Sequence, residues 1–539
     1  MAAAHETNAA TSAASRLAGL PPAAVKTVVA AAQALELGQA DTAERLVVGL
    51  LALHADHPEL LRLLSGVQTL RGQAEAAVAT MQRAAAARPG DALYRNTLGS
   101  ALIAAGRYDE AIAVLREACA LDPELATAWF NLGLVCMRSM RVAESAAALR
   151  KAAELAPTQW NARVILGDML RAEGRLDDAI AEYRRVLAQE PRAGMAWWGL
   201  AEVKTRRMSD EDIARLREAM QRPGTSDADL VAMGFALAKA LDDQAQLAES
   251  LHALGEAHAR ARRHARWDAR AHAGAVDAVL AAFTPPIVGA HDATLGSDVI
   301  FIVSLPRSAS TLTEQVLASH SLVEGAGELP DLPAVLTEES QRRRERFPQW
   351  AAAATPDDWT RLGRRYLERT AHWRERRPRF TDKLPYNWFY VGAIRAMLPG
   401  ARIVVGRRDP LETCFACYRQ YLALNEYTRT FSDLAAFWRD FDRAVRHWRA
   451  LHPAHVRENV YEELVAEPEA NIRALLDFCG LPFEPGCLEF HASTREVHTP
   501  SATQVREPLR RDTARSERYG ALLDPLRAAL GLPAYVPAR

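Results

Sequence analysis

Arg307, Lys383 and Arg408 each follow a short run of strand character. Three cations so placed would neutralise a phosphorylated ligand, and also the charge that builds on it when a group is transferred. The first sits in DVIFIVSLPRSAST, residues 298–311. Residues 299–303 are apolar without a break, the pattern of a strand buried on both faces. Leu305 and Pro306 end it, and Arg307, Ser308, Ala309, Ser310 and Thr311 make a turn of small residues. A helical stretch follows with Leu312, Val316 and Leu317 on one side. Strand, tight turn and helix start together predict an anion cradle, in which backbone N–H groups and the positive end of the helix dipole converge and a guanidinium adds its fork. The turn lacks the G-x-x-x-x-G-K-[ST] of nucleotide triphosphatases, so it argues for phosphate but weakly for ATP or GTP. The plain alternative is a strand-to-helix turn that happens to carry an arginine.

Lys383 lies in FTDKLPYNWFYVGAI, residues 380–394, and Arg408 in ARIVVGRRDPLETCFACYRQYL, residues 401–422. Residues 402–405 read as a second buried strand, and Pro410 as the first residue of a helix. In an open α/β sheet ligands collect at the carboxyl ends of the strands, so the three cations are predicted to face one crevice. The plain alternative for Lys383 is a surface lysine. A base for an acceptor hydroxyl is sought among Glu314, Glu324, Glu328 and Asp331. Glu314 is expected on a solvated helix face. Glu328 ends SLVEGAGE, where a Gly-rich strand exit would let a carboxylate reach the crevice; its alternative is capping the segment entered at residues 330–332. His320, in LASH, is expected to end its helix and satisfy the last carbonyls.

LPRSAST, AGE, DKLP, RRDPLETC and VYEELV, in that order, resemble the sulfotransferases, and most of all the tyrosylprotein sulfotransferase-like branch fused to tetratricopeptide repeats. The resemblance covers roughly the last 240 residues. It implies 3′-phosphoadenosine 5′-phosphosulfate (PAPS) as donor, a hydroxyl as acceptor and no metal. It puts Arg307, Ser308, Ala309, Ser310 and Thr311 on the 5′-phosphosulfate, Arg408 on the 3′-phosphate, Tyr461 beside the nucleotide, and the catalytic carboxylate at Glu328. Ser501 to Arg506, in PSATQVRE, resemble a loop that closes over the donor, although Glu507 departs from the Lys or Gln of related enzymes. Where the family carries a Ser for the 3′-phosphate this chain has Ala416; either Thr413 or Cys417 compensates, or donor affinity falls. Sulfuryl transfer resembles phosphoryl transfer, so catalysis rests on positioning and charge stabilisation, and Lys383 suits the bridging oxygen.

The first half is a different object. Gly38, Gly72, Gly106 and Gly174 recur at multiples of 34, with Met140 in the vacant place. Ala43, Ala77, Ala111 and Ala179 keep the period with Ser145, as do Leu64, Leu98, Leu132, Leu166 and Leu200, and Pro89, Pro123, Pro157 and Pro191. This is the tetratricopeptide period, with small residues at helix crossings and Pro stopping the second helix. The expected organisation is a tail over residues 1–24, an all-α repeat solenoid over 25–222, a helical connector over 223–294, and a P-loop-like α/β sulfotransferase domain with a parallel sheet over 295–539. The solenoid is expected to bind a peptide or protein, acceptor or partner, or to serve as a dimerisation arm that would make a homodimer. Trp129, Trp160, Trp197 and Trp198 are expected to pack rather than bind ligand. The basic, Ala-rich connector reads as a solvated helix, and its His258, His264 and His272 do not have metal-ligand spacing.

A net charge of −1 argues against a general nucleic-acid binder. The six cysteines are too sparse for a secreted disulfide scaffold, and Cys414 and Cys417 form a C-x-x-C without a second pair, so they read as structural thiols. Residues 1–22 lack the basic start and apolar run of a signal peptide, and no run of twenty apolar residues suits a membrane span, so cytoplasmic placement is expected. Three functions stay open: a PAPS-dependent sulfotransferase, with protein or peptide tyrosine among its candidate acceptors; a phosphoryl-transfer enzyme with a variant phosphate loop; and a non-catalytic repeat adaptor with a degenerate nucleotide site.

Overall fold

The computed structural model describes residues 15–203, 206–264, 267–284, 287–493, 509 and 514–537. It divides into two compact units, Met1–Pro191 and Arg192–Arg539. The first unit is all helical. Its hairpins are α1 (Pro22–Glu36) with α2 (Ala40–Leu51), α3 (Pro58–Leu70) with α4 (Ala74–Ala87), α5 (Ala92–Ala104) with α6 (Tyr108–Leu121), α7 (Ala126–Arg138) with α8 (Val142–Leu155), and α9 (Asn161–Ala172) with α10 (Leu176–Gln189). Two further glycines one period apart, Gly133 and Gly167, sit where paired helices cross. A Cβ on Gly133 would lie 2.6 Å from Leu149 Cγ, and one on Gly167 2.5 Å from the Tyr183 ring. Buried Ala and Leu side chains fill the seams on either side.

The periodic glycines close the hairpins in left-handed backbone, with φ between 69° and 80° at Gly38, Gly72, Gly106 and Gly174. Met140 takes the same turn at φ 62°, a conformation that costs an L-residue about 1–2 kcal/mol. Met140→Gly removes that strain without touching the core. It is expected to stabilise this unit by about 1 kcal/mol, a rise in Tm of about 2–4 °C in a thermal melt. An unchanged or lower Tm would mean that the Met140 side chain contributes more than the backbone strain costs.

The second unit opens with α11 (Gly194–Ala201), α12 (Asp210–Met220), α13 (Asp227–Asp243), α14 (Leu247–Ala261) and α15 (Ala269–Ala282). The expectation of a solvated connecting helix fails here: Ala257 and His258 on α14, and Val276 and Val279 on α15, are buried. The α13–α14 pair repeats the hairpin chemistry of the first unit. Ala245 takes the left-handed turn at φ 61°. Ser250 Oγ donates to the Ala238 carbonyl at 2.7 Å, as Ser145 Oγ does to that of Gly133 at 2.8 Å.

The α/β region runs β1 (Val299–Ser304), α16 (Ser310–Ala318), β2 (Val323–Gly325), α17 (Asp331–Arg343), α18 (Pro356–Arg369), β3 (Arg379–Asp382), α19 (Val391–Met397), β4 (Arg402–Arg407), α20 (Pro410–Arg419), α21 (Phe431–Leu451), β5 (Val456–Val460), α22 (Tyr461–Ala466), α23 (Pro468–Phe478), α24 (Ser516–Tyr519) and α25 (Asp524–Leu530). The five strands form one parallel sheet in the order β2-β3-β1-β4-β5. Register pairs Phe301 with Asp382, Val303 with Val405, and Arg407 with Val460. Every residue of β1 is buried, as its apolar run requires. Ile300, Ile302 and Val404 face a core shared with α16, α22 and α23. The connection leaving β1 runs toward β2, while β4 continues toward β5 on the other side. The chain therefore diverges beside β1, at the carboxyl edge where open α/β sheets hold their ligands. An all-helical repeat unit followed by a parallel α/β sheet is the fold class read from the sequence.

Candidate active site

The cradle is built at the end of β1. Its turn bends through left-handed backbone at Arg307 (φ 67°) and Ala309 (φ 63°), while Ser308 between them does not. A turn with left-handed residues on either side of Ser308 can direct successive N–H groups toward one point, as anion-binding nests do. Helix α16 starts at Ser310 behind Ala309, whose methyl side chain offers no cap. The first N–H groups of the helix and the positive end of its dipole are directed at the same spot. The turn needs room, and β4 supplies it at Gly406, where a Cβ would lie 3.2 Å from the Ser308 carbonyl oxygen and 3.3 Å from Ser304 Cβ. Burial above all, then the like charges of Arg408 and Arg419, hold the Arg307 guanidinium below the ordinary arginine pKa, against the pull of Glu202 and Cys417. Such a cation favours an incoming anion.

Lys383 leaves the end of β3. Side chains alternate along the strand: Thr381 reaches Glu314 on α16, and Asp382 reaches Tyr366 on α18. Lys383 is 1% exposed, and its Nζ donates to Glu328 Oε1 at 2.5 Å. The Glu328 side chain is 48% exposed, so the pair runs from the interior to the surface. Burial pushes the Asp382 carboxyl well above the usual range, opposed by the hydrogen bond from Tyr366. Its two oxygens accept from Tyr366 and from Asn387. A buried lysine paired to a carboxylate replaces the surface lysine of the plain alternative.

Arg408 follows β4. Its guanidinium lies 4.9 Å from the centre of the Tyr461 ring, at the end of β5, and 3.6 Å from Glu412. Ser308 Oγ and Thr413 Oγ1 stand 3.5 Å apart, which brings the cradle against the start of α20. Of the two residues considered as substitutes at Ala416, the Cys417 thiol donates to the Pro306 carbonyl at 3.2 Å and so holds the cradle loop, while Thr413 remains beside Ser308. Burial pushes the Cys417 thiol up to about 12, and all six cysteines are free and buried.

Two carboxylates that the sequence did not single out fix this side. Glu412 accepts the backbone N–H groups of Ser516 at 2.6 Å and Arg515 at 3.2 Å. Asp242 on α13, 1% exposed, accepts from Arg419 at 2.7 Å, Arg515 at 2.8 Å and Tyr519 at 3.0 Å. Burial works against its charge, and the arginines outweigh it and lower its pKa. Polar residues flanking Arg408 in the motif were the available signal for Glu412; nothing local marks Asp242.

Two expectations are corrected. Glu314 is 1% exposed, not solvated, because its carboxylate takes hydrogen bonds from Thr381 and from the Gly327 backbone. His320 does not satisfy its own helix. Its Nδ1 accepts from the Leu322 N–H at 3.1 Å, which leaves Nε2 to donate to the Pro482 carbonyl at 2.9 Å. Both ring nitrogens are engaged, so His320 is no free base. Of the connector histidines, His258 stacks on Tyr418 with ring centres 4.1 Å apart, and His272 meets Asp440 at 2.8 Å and Tyr386 OH at 3.4 Å. Trp197 and Trp198 are buried, as packing residues should be. Ser501 and Arg506 lie outside the described residues. Among the described residues no cluster suits a metal ion, and no helix is long and apolar enough to cross a membrane.

Residues 298–485 match the model of the sulfotransferase family. Tetratricopeptide-repeat models match residues 34–100, 99–139, 126–159 and 165–206. An uncharacterized protein of Aquifex aeolicus (strain VF5) is 31% identical over 374 residues, 66% of this chain and 48% of that protein. A "Putative protein-tyrosine sulfotransferase" of Caenorhabditis briggsae is 24% identical over 196 residues, 36% of this chain and 69% of that one. The chain thus spans about half the length of the first relative. Among solved structures, the sulfotransferase domain of the Synechococcus PCC 7002 olefin synthase is 20% identical with a TM-score of 0.32, covering 45% of this chain and 89% of that one. A thermophilic tetratricopeptide-repeat protein of Thermus thermophilus is 25% identical with a TM-score of 0.29, covering 31% and 92%.

Proposed function

With residues 298–485 a domain of the sulfotransferase family carried behind tetratricopeptide repeats, we propose that this chain moves a sulfuryl group from PAPS to an acceptor hydroxyl. The observation that carries the reading is the edge of the sheet. A helix start behind two left-handed residues and a buried lysine paired to a half-exposed carboxylate sit on neighbouring strands, with an arginine against a tyrosine ring on the next two. This donor set fits a doubly phosphorylated adenylate. Arg307 with the 308–311 turn would hold the 5′-phosphosulfate, and Arg408 and Tyr461 the 3′-phosphate and nucleotide. Glu328 takes the proton of the acceptor hydroxyl as it attacks sulfur. Lys383 offers its charge to the bridging oxygen as the S–O bond breaks, a role for a compact ammonium.

The acceptor we favour is tyrosine in a peptide, in keeping with the name of the C. briggsae relative and with repeats of a kind that bind extended peptides. In this reading residues 25–222 recognise acceptor or partner, residues 223–294 connect, residues 295–539 transfer, and the work is done in the cytoplasm. No metal takes part in the proposed steps. The test is radiolabelled PAPS incubated with the chain and host lysate, asking which fraction takes up label. Label in a tyrosine-containing peptide fraction supports the proposal; an absence of both PAPS binding and sulfate release favours the adaptor. Transfer from ATP instead of PAPS favours the phosphoryl-transfer enzyme.

Arg408 separates donor from generic nucleotide. Arg408→Ala is expected to weaken 3′-phosphoadenosine 5′-phosphate (PAP) by about 10- to 100-fold, the worth of a charge-assisted pair, and AMP by less than about threefold. Titration calorimetry on both ligands measures it. Equal losses would take the 3′-phosphate away from Arg408.

A further inference from the structure

We propose that Glu314 is a positioning residue that ties the donor cradle to the Glu328–Lys383 pair; the inference rests on the sulfotransferase reading. Glu314 lies one turn inside α16, the helix whose start forms the cradle. Its side chain is 1% exposed. Its Oε1 accepts the Gly327 N–H at 2.8 Å and the Thr381 hydroxyl at 2.9 Å. The Gly327 carbonyl in turn accepts the Lys383 N–H at 2.8 Å. Gly327 is thus held at both its polar groups, by the cradle helix on one side and by the lysine strand on the other. It stands at φ 76°, where a side chain would be strained. The next residue is Glu328, whose carboxylate closes the circuit on Lys383 Nζ at 2.5 Å.

A carboxylate in this interior is costly unless hydrogen bonds compensate it, and Glu314 draws them from Gly327 and Thr381. The sheet does not need them, since β2 and β3 are already paired through Gly325 and Thr381. What the carboxylate adds is a fixed offset between the cradle, which would hold the sulfuryl donor, and the base that would deliver the acceptor oxygen to it. Transfer is sensitive to that offset, because a misplacement of about 1 Å costs on the order of 10²-fold in rate.

The test uses the full chain and three variants, with PAP binding read by calorimetry and turnover read with labelled PAPS and the lysate fraction that takes up label. Glu314→Asp keeps the charge but falls one methylene short of Gly327. Glu314→Leu removes the hydrogen bonds to Gly327 and Thr381. Glu314→Gln keeps the accepting oxygen. Asp and Leu are each expected to lower kcat by about 10²-fold with the Kd for PAP within about threefold, and Gln to retain most of the native kcat. Should Leu fail to fold, Asp and Gln carry the comparison. Native kcat in Asp overturns the proposal. So do kcat and PAP affinity falling together, with Gln failing alike, since that marks damage to the helix. A native chain that binds PAP and transfers nothing ends the sulfotransferase reading and this inference with it; a native chain that turns over while all three variants match it ends only the inference.

Discussion

Lys383→Met is expected to lower turnover about 10²- to 10³-fold while PAP still binds within about tenfold of the native affinity. The expectation follows from where the ammonium sits. At 1% exposure it is shielded from water, so its charge acts on its neighbours through a low dielectric rather than through solvent. Met keeps most of the stem volume, so the loss reads as loss of charge and not of packing. Glu328, left alone, is 48% exposed and stays hydrated, so the fold survives the missing partner. In the proposed site Arg307 and the 308–311 turn would still hold the phosphate, so binding is expected to suffer less than chemistry. Lys383→Arg is not expected to rescue, because a planar fork does not offer a point charge to one oxygen. Single-turnover transfer from labelled PAPS separates the two effects. Turnover within about threefold of native would remove Lys383 from the chemistry.

How much of this was written locally in the chain can be traced residue by residue. The cradle was legible because its parts are contiguous: an apolar run long enough for a buried strand, a turn of small residues, and a helix start. The repeats were legible because a period repeats its own evidence. Glu314 was not legible. Its partners lie 13 and 67 residues away, and a carboxylate in a helix is exposed by default until a long-range donor claims it. His320 was misread for the same reason, its ring donating to a carbonyl 162 residues on. The α13–α14 hairpin was missed because Ala245 stands 105 residues after Met140, three more than three periods of 34, and because neither turn carries the glycine that marks the others. The structure gives both turns the left-handed backbone all the same, so geometry outlasted the sequence signal.

Glu328→Gln is expected to lower turnover about 10²- to 10⁴-fold, the range of a well-placed general base, and to leave PAP binding unchanged or tighter. The second half of that expectation comes from the ion pair. In the native chain the carboxylate holds the Lys383 ammonium at 2.5 Å, and a bound phosphate must compete for it. A neutral amide of the same shape lets go of that charge while its backbone stays pinned through Gly327. Donor affinity therefore does not fall with turnover, as it would for a residue that merely supported the fold. A general base also leaves a mark across acceptors. Hydroxyls that ionise easily need it least, so in Glu328→Gln an acidic phenol is expected to lose less rate than a weakly acidic one. If Glu328→Gln instead weakens PAP as much as Lys383→Met does and slows every acceptor equally, the carboxylate serves only to hold the lysine, and the proton must leave by another group.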